Sequence, residues 1–178
     1  MTEYTINSSG TVVPAKGGAQ PILITMTADE FRENKAEFTF HREMLHSLGS
    51  IRYCKAELYK GCVIGTMRIP RKEAQRAPEL CFGFCLTDKT LHIIEDTGEY
   101  KALVARLVNH SSGAARPSQL LLRLLELLTE NDVPYMMHIE TELERMEDEL
   151  GQKPGDDFFR RLTRHRQKLS ELGAYYGQ

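Results

Sequence analysis

Four acidic side chains in one short segment are the residues most able to do chemistry in this chain. Glu140, Glu144, Glu147 and Asp148 lie in a stretch with helical periodicity, Ile139–Leu150, where residues three and four apart are neighbours. Carboxylate oxygens are the ligands that divalent cations such as Mg²⁺ prefer. The segment carries six acids between Glu140 and Glu149 and a single base. This density predicts attraction of hydrated divalent cations, and these four residues are the candidate metal ligands.

A basic helix follows the acidic one after a break at 153–155. Apolar residues recur at helical spacing on both sides of the break, which predicts an antiparallel helical hairpin joined along one apolar seam. The seam residues are Ile139, Leu143, Met146 and Leu150 on the first helix, and Phe158, Leu162, Leu169, Leu172 and Tyr176 on the second. Its bases are Arg160, Arg161, Arg164, Arg166 and Lys168. They are expected to face the acids, and a solvated hairpin with complementary charges and no metal is the alternative.

Other kinds of site find no support in the sequence. The six histidines are scattered, with no HExxH and no paired CxxC, so no zinc site is predicted. There is no GxSxG motif and no phosphate-binding glycine loop, so we predict no catalytic residues, no cofactor and no enzyme. A net charge of −2 gives no reason to expect nucleic acid. The basic run 68–76 is interpreted as a solvated loop.

The four cysteines lie in apolar, strand-like runs. We expect free, mostly buried thiols in a reducing compartment. There is no signal peptide, and the most apolar run, Leu120–Leu128, is too short to cross a bilayer. We therefore expect the chain as it stands to be soluble.

The periodicities predict an α/β (α+β) fold: a mixed sheet of hairpins flanked by helices, with a C-terminal antiparallel helical hairpin. Strands are expected near 21–26, in two runs within 51–69, and at 80–86 and 91–94. Helices are expected after the Thr27/Glu30 capping box, at 41–48 with Gly49 as the stop, at 98–110, and from Pro117 onward with a kink or restart at 131–134. We place an α/β domain at 1–133 and the hairpin at 134–178.

Three segments, in this order and spacing, resemble the cytosolic N-terminal domain of the CorA family of divalent-cation transporters. Ala56–Met67 (AELYKGCVIGTM) is similar to a family hairpin, and Glu79–Glu95 (ELCFGFCLTDKTLHIIE) to its strand–turn–strand segment. Ile139–Leu150 (IETELERMEDEL) resembles the helix I-D-x-x-L-x-x-L-E-x-x-L, and Arg164–Gln178 the helix after it, including the Tyr-Tyr-x-Gln ending. The resemblance covers roughly residues 38–178.

The resemblance implies a regulatory domain at the cytoplasmic face of the cell membrane, within a homo-oligomeric transporter of Mg²⁺, Co²⁺ or a related ion. The family's stalk helix, membrane spans and Gly-Met-Asn signature would follow Gln178, so contact with the membrane is expected only through that region. The abrupt ending Tyr175–Gln178 fits this expectation. A stand-alone adaptor that binds a partner through its helical hairpin is the alternative hypothesis.

One segment departs from the family pattern. Phe38–Ser47 resembles a family segment that ends in Glu-Asp, whose aspartate helps to bind a regulatory ion between subunits. Here those two positions are His46 and Ser47. A serine hydroxyl is neutral and a weak ligand for Mg²⁺, so the familiar regulatory site is in doubt.

Overall fold

Seven strands form one mixed sheet in the computed structural model of the protein. The structure describes residues 1–34, 41–49, 51–70, 79–95, 100–110, 116–151 and 154–177. The strands are β1 (Thr2–Ile6), β2 (Val12–Pro14), β3 (Leu23–Met26), β4 (Lys55–Tyr59), β5 (Cys62–Ile69), β6 (Leu80–Thr87) and β7 (Leu91–Ile94). Their order across the sheet is β2-β1-β3-β7-β6-β5-β4. The predicted mixed sheet of hairpins is confirmed.

Local sequence signals account for most of these elements. β4–β5 and β6–β7 are antiparallel hairpins, and β1 pairs antiparallel with both β2 and β3. The parallel pair, β3 with β7, joins segments almost 70 residues apart, with Leu23 opposite Leu91. Thr27 and Glu30 form the expected capping box, in which the Glu30 amide donates to Thr27 Oγ1 at 3.1 Å. It opens helix α1 (Ala28–Glu33).

Helices cover both faces of the sheet. Besides α1, they are α2 (His41–Leu48), α3 (Tyr100–His110) and α4 (Pro117–Thr129). Adjacent strand residues point to opposite faces, so Ile93 joins one apolar cluster with α3 and α4 while Ile94 joins another with α1 and α2. The predicted stop at Gly49 and the start at Pro117 are confirmed. The predicted helix start at Gly98 and the loop at 111–113 lie outside the described residues.

Close approach within the sheet region requires two glycines. A Cβ on Gly65 would overlap the Lys55 carbonyl oxygen of the adjacent strand and the ring of Phe84. A Cβ on Gly83 would meet the side-chain tips of Met44 and Leu48, so this glycine lets α2 pack directly on β6. These two positions therefore have no room for a side chain, one within the sheet and one between the sheet and α2.

The C-terminal hairpin consists of α5 (Asp132–Leu150) and α6 (Phe158–Tyr176). Arg161 forms an ion pair with Glu149 at the end near the connecting loop, and Asp132 and Tyr176 line the same groove at the other end, so the helices are antiparallel. The predicted hairpin is thus confirmed. The chain restarts at α5 after α4 rather than kinking, and Pro134 lies in the first turn. Within the described part of the chain, no helix combines the length and apolar character that a membrane span requires.

Candidate functional site

Each helix of the hairpin carries two stripes of residues at alternating three- and four-residue spacing, offset by one position. The inner stripes contain the buried residues of the two helices. They include Asp132, Ile139 and Met146 on α5, and Phe158 and Leu172 on α6. Phe158 and Leu172 are almost completely buried.

The outer stripes face solvent. They consist of Val133, Met136, Glu140, Leu143, Glu147 and Leu150 on α5, and of Phe159, Leu162, Arg166, Leu169, Gly173 and Tyr176 on α6. Val133 and Phe159 are each 69% exposed. The single seam predicted from sequence is therefore wrong in detail, because it mixes the two stripes. Ile139, Met146, Phe158 and Leu172 are buried, whereas Leu150, Leu162, Leu169 and Tyr176 are exposed and Leu143 is half-buried.

A groove of about 710 Å³ runs between the outer stripes, and we call it the hairpin groove. Its lining is mainly apolar but includes four carboxylates and no basic side chain. The lining residues are Asp132, Val133, Met136, Met137, Ile139, Glu140, Leu143, Glu144, Glu147, Leu169 and Tyr176. The groove is therefore lined by apolar side chains with carboxylates interspersed among them.

The structure brings together three of the four predicted metal ligands. Glu140, Glu144 and Glu147 line the hairpin groove, whereas Asp148 is exposed and lies outside it. In the described residues, no three or more His, Cys, Asp or Glu side chains converge closely enough to hold a metal ion. The carboxylates thus share a helix face without forming a compact ligand cage, and their role as metal ligands stays a prediction.

The basic helix neutralises little of this acidic face. Arg161 forms the one described ion pair from α6 to α5, with Glu149, and this pair raises the pKa of Arg161. Arg160 and Lys168 instead form ion pairs with acids near them in sequence. The Arg160 guanidinium lies 3.9 Å from Asp157 Oδ2, and Lys168 Nζ lies 3.2 Å from Glu171 Oε2. Across the described segments, no ion pair holds the four predicted ligands. The expected pairing of bases with acids is confirmed at Arg161 and does not extend along the hairpin.

Asp132 closes one end of the groove, and sequence reasoning missed it. It lies in the first turn of α5, is only 6% exposed, and lines the groove together with Tyr176. Burial, followed by the charge of Asp132, raises the pKa of Tyr175 to about 12. The same two influences raise the pKa of Tyr176. An acid in the first helical turn was the available signal, but only the return of α6 brings two tyrosines to it.

His46 and Ser47 occupy the last turn of α2, beside a shallow pocket of about 150 Å³. Ser47 donates its hydroxyl to the Glu43 carbonyl oxygen at 3.0 Å. Arg52 and Lys55 line the same pocket. Two cations beside a neutral serine make this a poor place for a divalent cation. The preceding residues 38–40 of the resembling segment lie outside the described residues.

The start of the basic run 68–76 is part of a polar pocket rather than a solvated loop. Arg68 Nε donates to Glu79 Oε1 at 2.6 Å, and this hydrogen bond raises the pKa of Arg68. Arg68 also donates to the Arg52 carbonyl oxygen at 3.0 Å. Lys168 and Tyr175 of α6 line the same pocket, so it joins the sheet to the hairpin. Residues 71–76 lie outside the described residues.

All four thiols are free, and Cys62 and Cys85 are buried, as expected. Both lie in the same apolar cluster, on the adjacent strands β5 and β6. Burial raises the pKa of Cys85 to about 12 and also raises the pKa of Cys62 and Cys81. Thiols held in the neutral form at physiological pH are weak nucleophiles.

Comparison with known proteins identifies the fold. No family model and no curated sequence matches the chain. Two solved structures are similar over 98% of it: full-length CmaX, with a TM-score of 0.72 and 13% identity, and the cytoplasmic domain of ZntB from Vibrio parahaemolyticus RIMD 2210633, with a TM-score of 0.69 and 12% identity. The chain covers 59% of the CmaX chain and 73% of the ZntB chain. The chain therefore shares the fold of the ZntB cytoplasmic domain and of the matching part of CmaX, and the α+β fold expected from the sequence is confirmed.

Proposed function

We propose that this chain is the cytoplasmic regulatory domain of a CorA-like transporter of divalent metal ions, with Mg²⁺ and Co²⁺ as the first candidates. The observation that carries the proposal is a shared fold, over 98% of the chain, with the cytoplasmic domain of ZntB and with full-length CmaX. The domain would act at the cytoplasmic face of the cell membrane within a homo-oligomer. Membrane spans would come from a part of the protein outside this sequence. The domain has no proposed catalytic role.

The proposed mechanism is electrostatic. Glu140, Glu144 and Glu147 share one face of α5, and like charges at three- and four-residue spacing repel one another. Hydrated divalent cations collecting at this face would screen that repulsion and stabilise the hairpin. Any coupling from ion occupancy to transport would also act in reverse, because linkage between binding equilibria is reciprocal. The open spacing of the carboxylates favours hydrated ions over a dehydrated, caged metal.

The residues at the end of α2 support placing the response to divalent ions on α5 instead. His46 and Ser47 stand where the family pattern has Glu-Asp, and Arg52 and Lys55 line the adjoining pocket. These cations would repel a divalent ion from that pocket. We therefore propose that the acidic face of α5, with Asp148 at its side, is the ion-responsive surface of this domain.

An ion titration tests the proposal. The melting temperature and sedimentation coefficient of the domain are measured in Mg²⁺ or Co²⁺ up to millimolar concentration, against NaCl at equal ionic strength. We expect the divalent ions to raise the melting temperature more than NaCl does. The expected difference disappears in the variant Glu140→Gln/Glu144→Gln/Glu147→Gln/Asp148→Asn. An equal response to NaCl and MgCl₂, or an unchanged response in the variant, would refute ion sensing by this surface.

A further inference from the structure

We propose that a pocket between the sheet and α3 binds a small organic monocarboxylate. The pocket has a volume of about 370 Å³, which lies in the range of small-molecule sites. Thr2, Tyr4, Pro14 and Thr25 form its strand wall, and one side of α3 forms the opposite wall. The C-terminal hairpin contributes none of the described lining residues. The last turns of α6 line a different pocket with Arg68 of β5, in the other half of the sheet.

The pairing of the strands builds the first wall. Thr2 lies opposite Thr25, and Tyr4 lies opposite Pro14. Residues that lie opposite one another in antiparallel strands point to the same face of the sheet, so these four side chains share one face. Tyr4 packs against the apolar cluster in which Val104 of α3 is buried. The helix therefore covers the same face, and the pocket lies between the two.

The charges around the pocket favour a ligand with a single negative charge. Lys101 lies in the first turn of α3, and that turn has no acidic residue. The N-terminal end of a helix carries a partial positive charge, which adds to the charge of the lysine. The described lining contains no carboxylate, and Lys101 forms no ion pair with another described residue. One lysine balances one carboxylate, whereas a phosphate dianion would need a second base.

A buried hydroxyl is the independent observation that points to a ligand. Thr25 lines the pocket and is only 2% exposed, and its side chain makes no hydrogen bond to another described residue. A buried polar group without a partner costs free energy. A carboxylate oxygen in the pocket would accept a hydrogen bond from this hydroxyl. Thr2, directly opposite, brings a second hydroxyl to the same wall.

The rest of the lining defines the body of the ligand. Val104 and Val108 are four residues apart, so they present an apolar strip on one side of α3. Asn109 lines the pocket eight residues after Lys101, which is roughly 12 Å along the helix. A matching ligand has its carboxylate near Lys101 and an apolar chain or ring of up to that length along the valines. The proposal does not rest on ion regulation or on the transporter function.

Titrations followed by NMR test the proposal on the intact, isotope-labelled chain in EDTA. The probes are hexanoate, octanoate and phenylbutanoate, each paired with its neutral primary amide. We expect the acids to shift the backbone resonances of the pocket residues in a saturable way. Each amide should bind about three- to fivefold more weakly than its acid, because it lacks the charge that Lys101 attracts.

Matched variants locate the binding site. Lys101→Met should weaken binding of the acids about three- to fivefold and leave binding of the amides unchanged. Lys89→Met, at an exposed lysine in the turn between β6 and β7, should change neither. Ala105→Trp should fill the pocket and weaken binding of all probes at least about tenfold. Its control is Ala102→Trp, at an exposed alanine on the same helix outside the lining.

Three results would overturn the proposal. The first is the absence of saturable shifts at the pocket with all three acids at millimolar concentration. The second is equal binding of acids and amides, which would mean that Lys101 does not select a negative charge. The third is equal binding by the two tryptophan variants, which would place the ligand outside this pocket. Circular dichroism of both variants checks that they are folded. Because EDTA removes divalent ions, these outcomes are independent of the ion titration.

Discussion

The sheet region and the helical hairpin bury their apolar side chains to very different extents. The buried members of both large apolar clusters lie within residues 1–128, on the two faces of the sheet, and Tyr175 of α6 packs against one of them. Eight of the twelve large hydrophobic side chains that are exposed in the described residues lie on α5 and α6. In the hairpin, Phe158 and Leu172 are buried, while most apolar residues of the outer stripes are exposed.

This difference teaches that the two regions depend on different neighbours. The sheet region satisfies its apolar surface internally, since helices cover both faces. The hairpin buries one apolar stripe on each helix and leaves a second stripe, interspersed with carboxylates on α5, largely exposed. The proposed ion-responsive surface lies in this second region. The same type of substitution should therefore change the free energy of unfolding differently in the sheet region and in the outer stripes of the hairpin.

Truncation of one apolar side chain in each region should show the largest contrast. Ile93→Ala in β7, at a position 2% exposed, should lower the free energy of unfolding by about 2–5 kcal/mol through lost burial and a cavity. Leu162→Ala on the outer stripe of α6 should lower it by less than about 1 kcal/mol. Urea unfolding followed by circular dichroism measures both. Similar losses would mean that the outer stripe is covered in solution.

The effect of a glycine-to-alanine substitution on stability should have opposite signs in the two regions. Gly65→Ala should destabilise the sheet by about 1–3 kcal/mol, because the new methyl group meets the Lys55 carbonyl oxygen and the Phe84 ring. A Cβ at Gly173 in α6 meets no atom within 4 Å, so Gly173→Ala should stabilise the chain by about 0.5–1 kcal/mol through helix propensity. Thermal unfolding measures both shifts. Destabilisation by Gly173→Ala would contradict an open groove.

The loss of stability at acidic pH should be the smallest of the three effects, and we expect it to arise from His92 in the sheet. Burial lowers the pKa of His92, at the centre of the sheet, so protonation favours the unfolded chain. This contribution to stability is complete above the unfolded pKa of about 6.5 and declines as pH falls below it, by at most about 1.4 kcal/mol per pH unit. Unfolding measured from pH 7.5 to 5 should lose this slope in His92→Gln.

The matched control is His138→Gln, a change of an exposed side chain on α5. It should leave the pH profile as in the parent chain. Loss of the slope in both variants would mean that the acid sensitivity does not arise from burial in the sheet.

Local signals in the sequence predicted most elements correctly. Three helix ends were marked by residues that act within one turn. They are the capping box of Thr27 and Glu30, the stop at Gly49, and Pro117 in a first helical turn. The apolar runs at 80–86 and 91–94 appeared as the β6–β7 hairpin. The division at 133/134 stays a prediction, and α5 begins at Asp132. The parallel pairing of β3 with β7 could not be anticipated, because it depends on contacts between distant segments.

The hairpin seam shows where pattern reasoning fails. Ile139 and Leu143 are four residues apart and both apolar, so sequence alone placed them in one seam. The structure buries Ile139 and leaves Leu143 half-buried, although both line the hairpin groove. Each helix carries two apolar stripes one residue apart, and an offset of one residue rotates a helix by about 100°. Periodicity identifies both stripes but cannot say which one is inside.

The sequence by itself determined the elements of this protein and the charge of its hairpin, because capping, turns, helical spacing and carboxylate density are properties of neighbouring residues. The tertiary structure decided which stripe is buried, that Glu140, Glu144 and Glu147 border an apolar groove, and that His46 and Ser47 lie beside Arg52 and Lys55. These outcomes depend on how α6 returns along α5 and how α2 packs on the sheet. Each arises from contacts between distant residues, and such contacts leave no local pattern in a single chain.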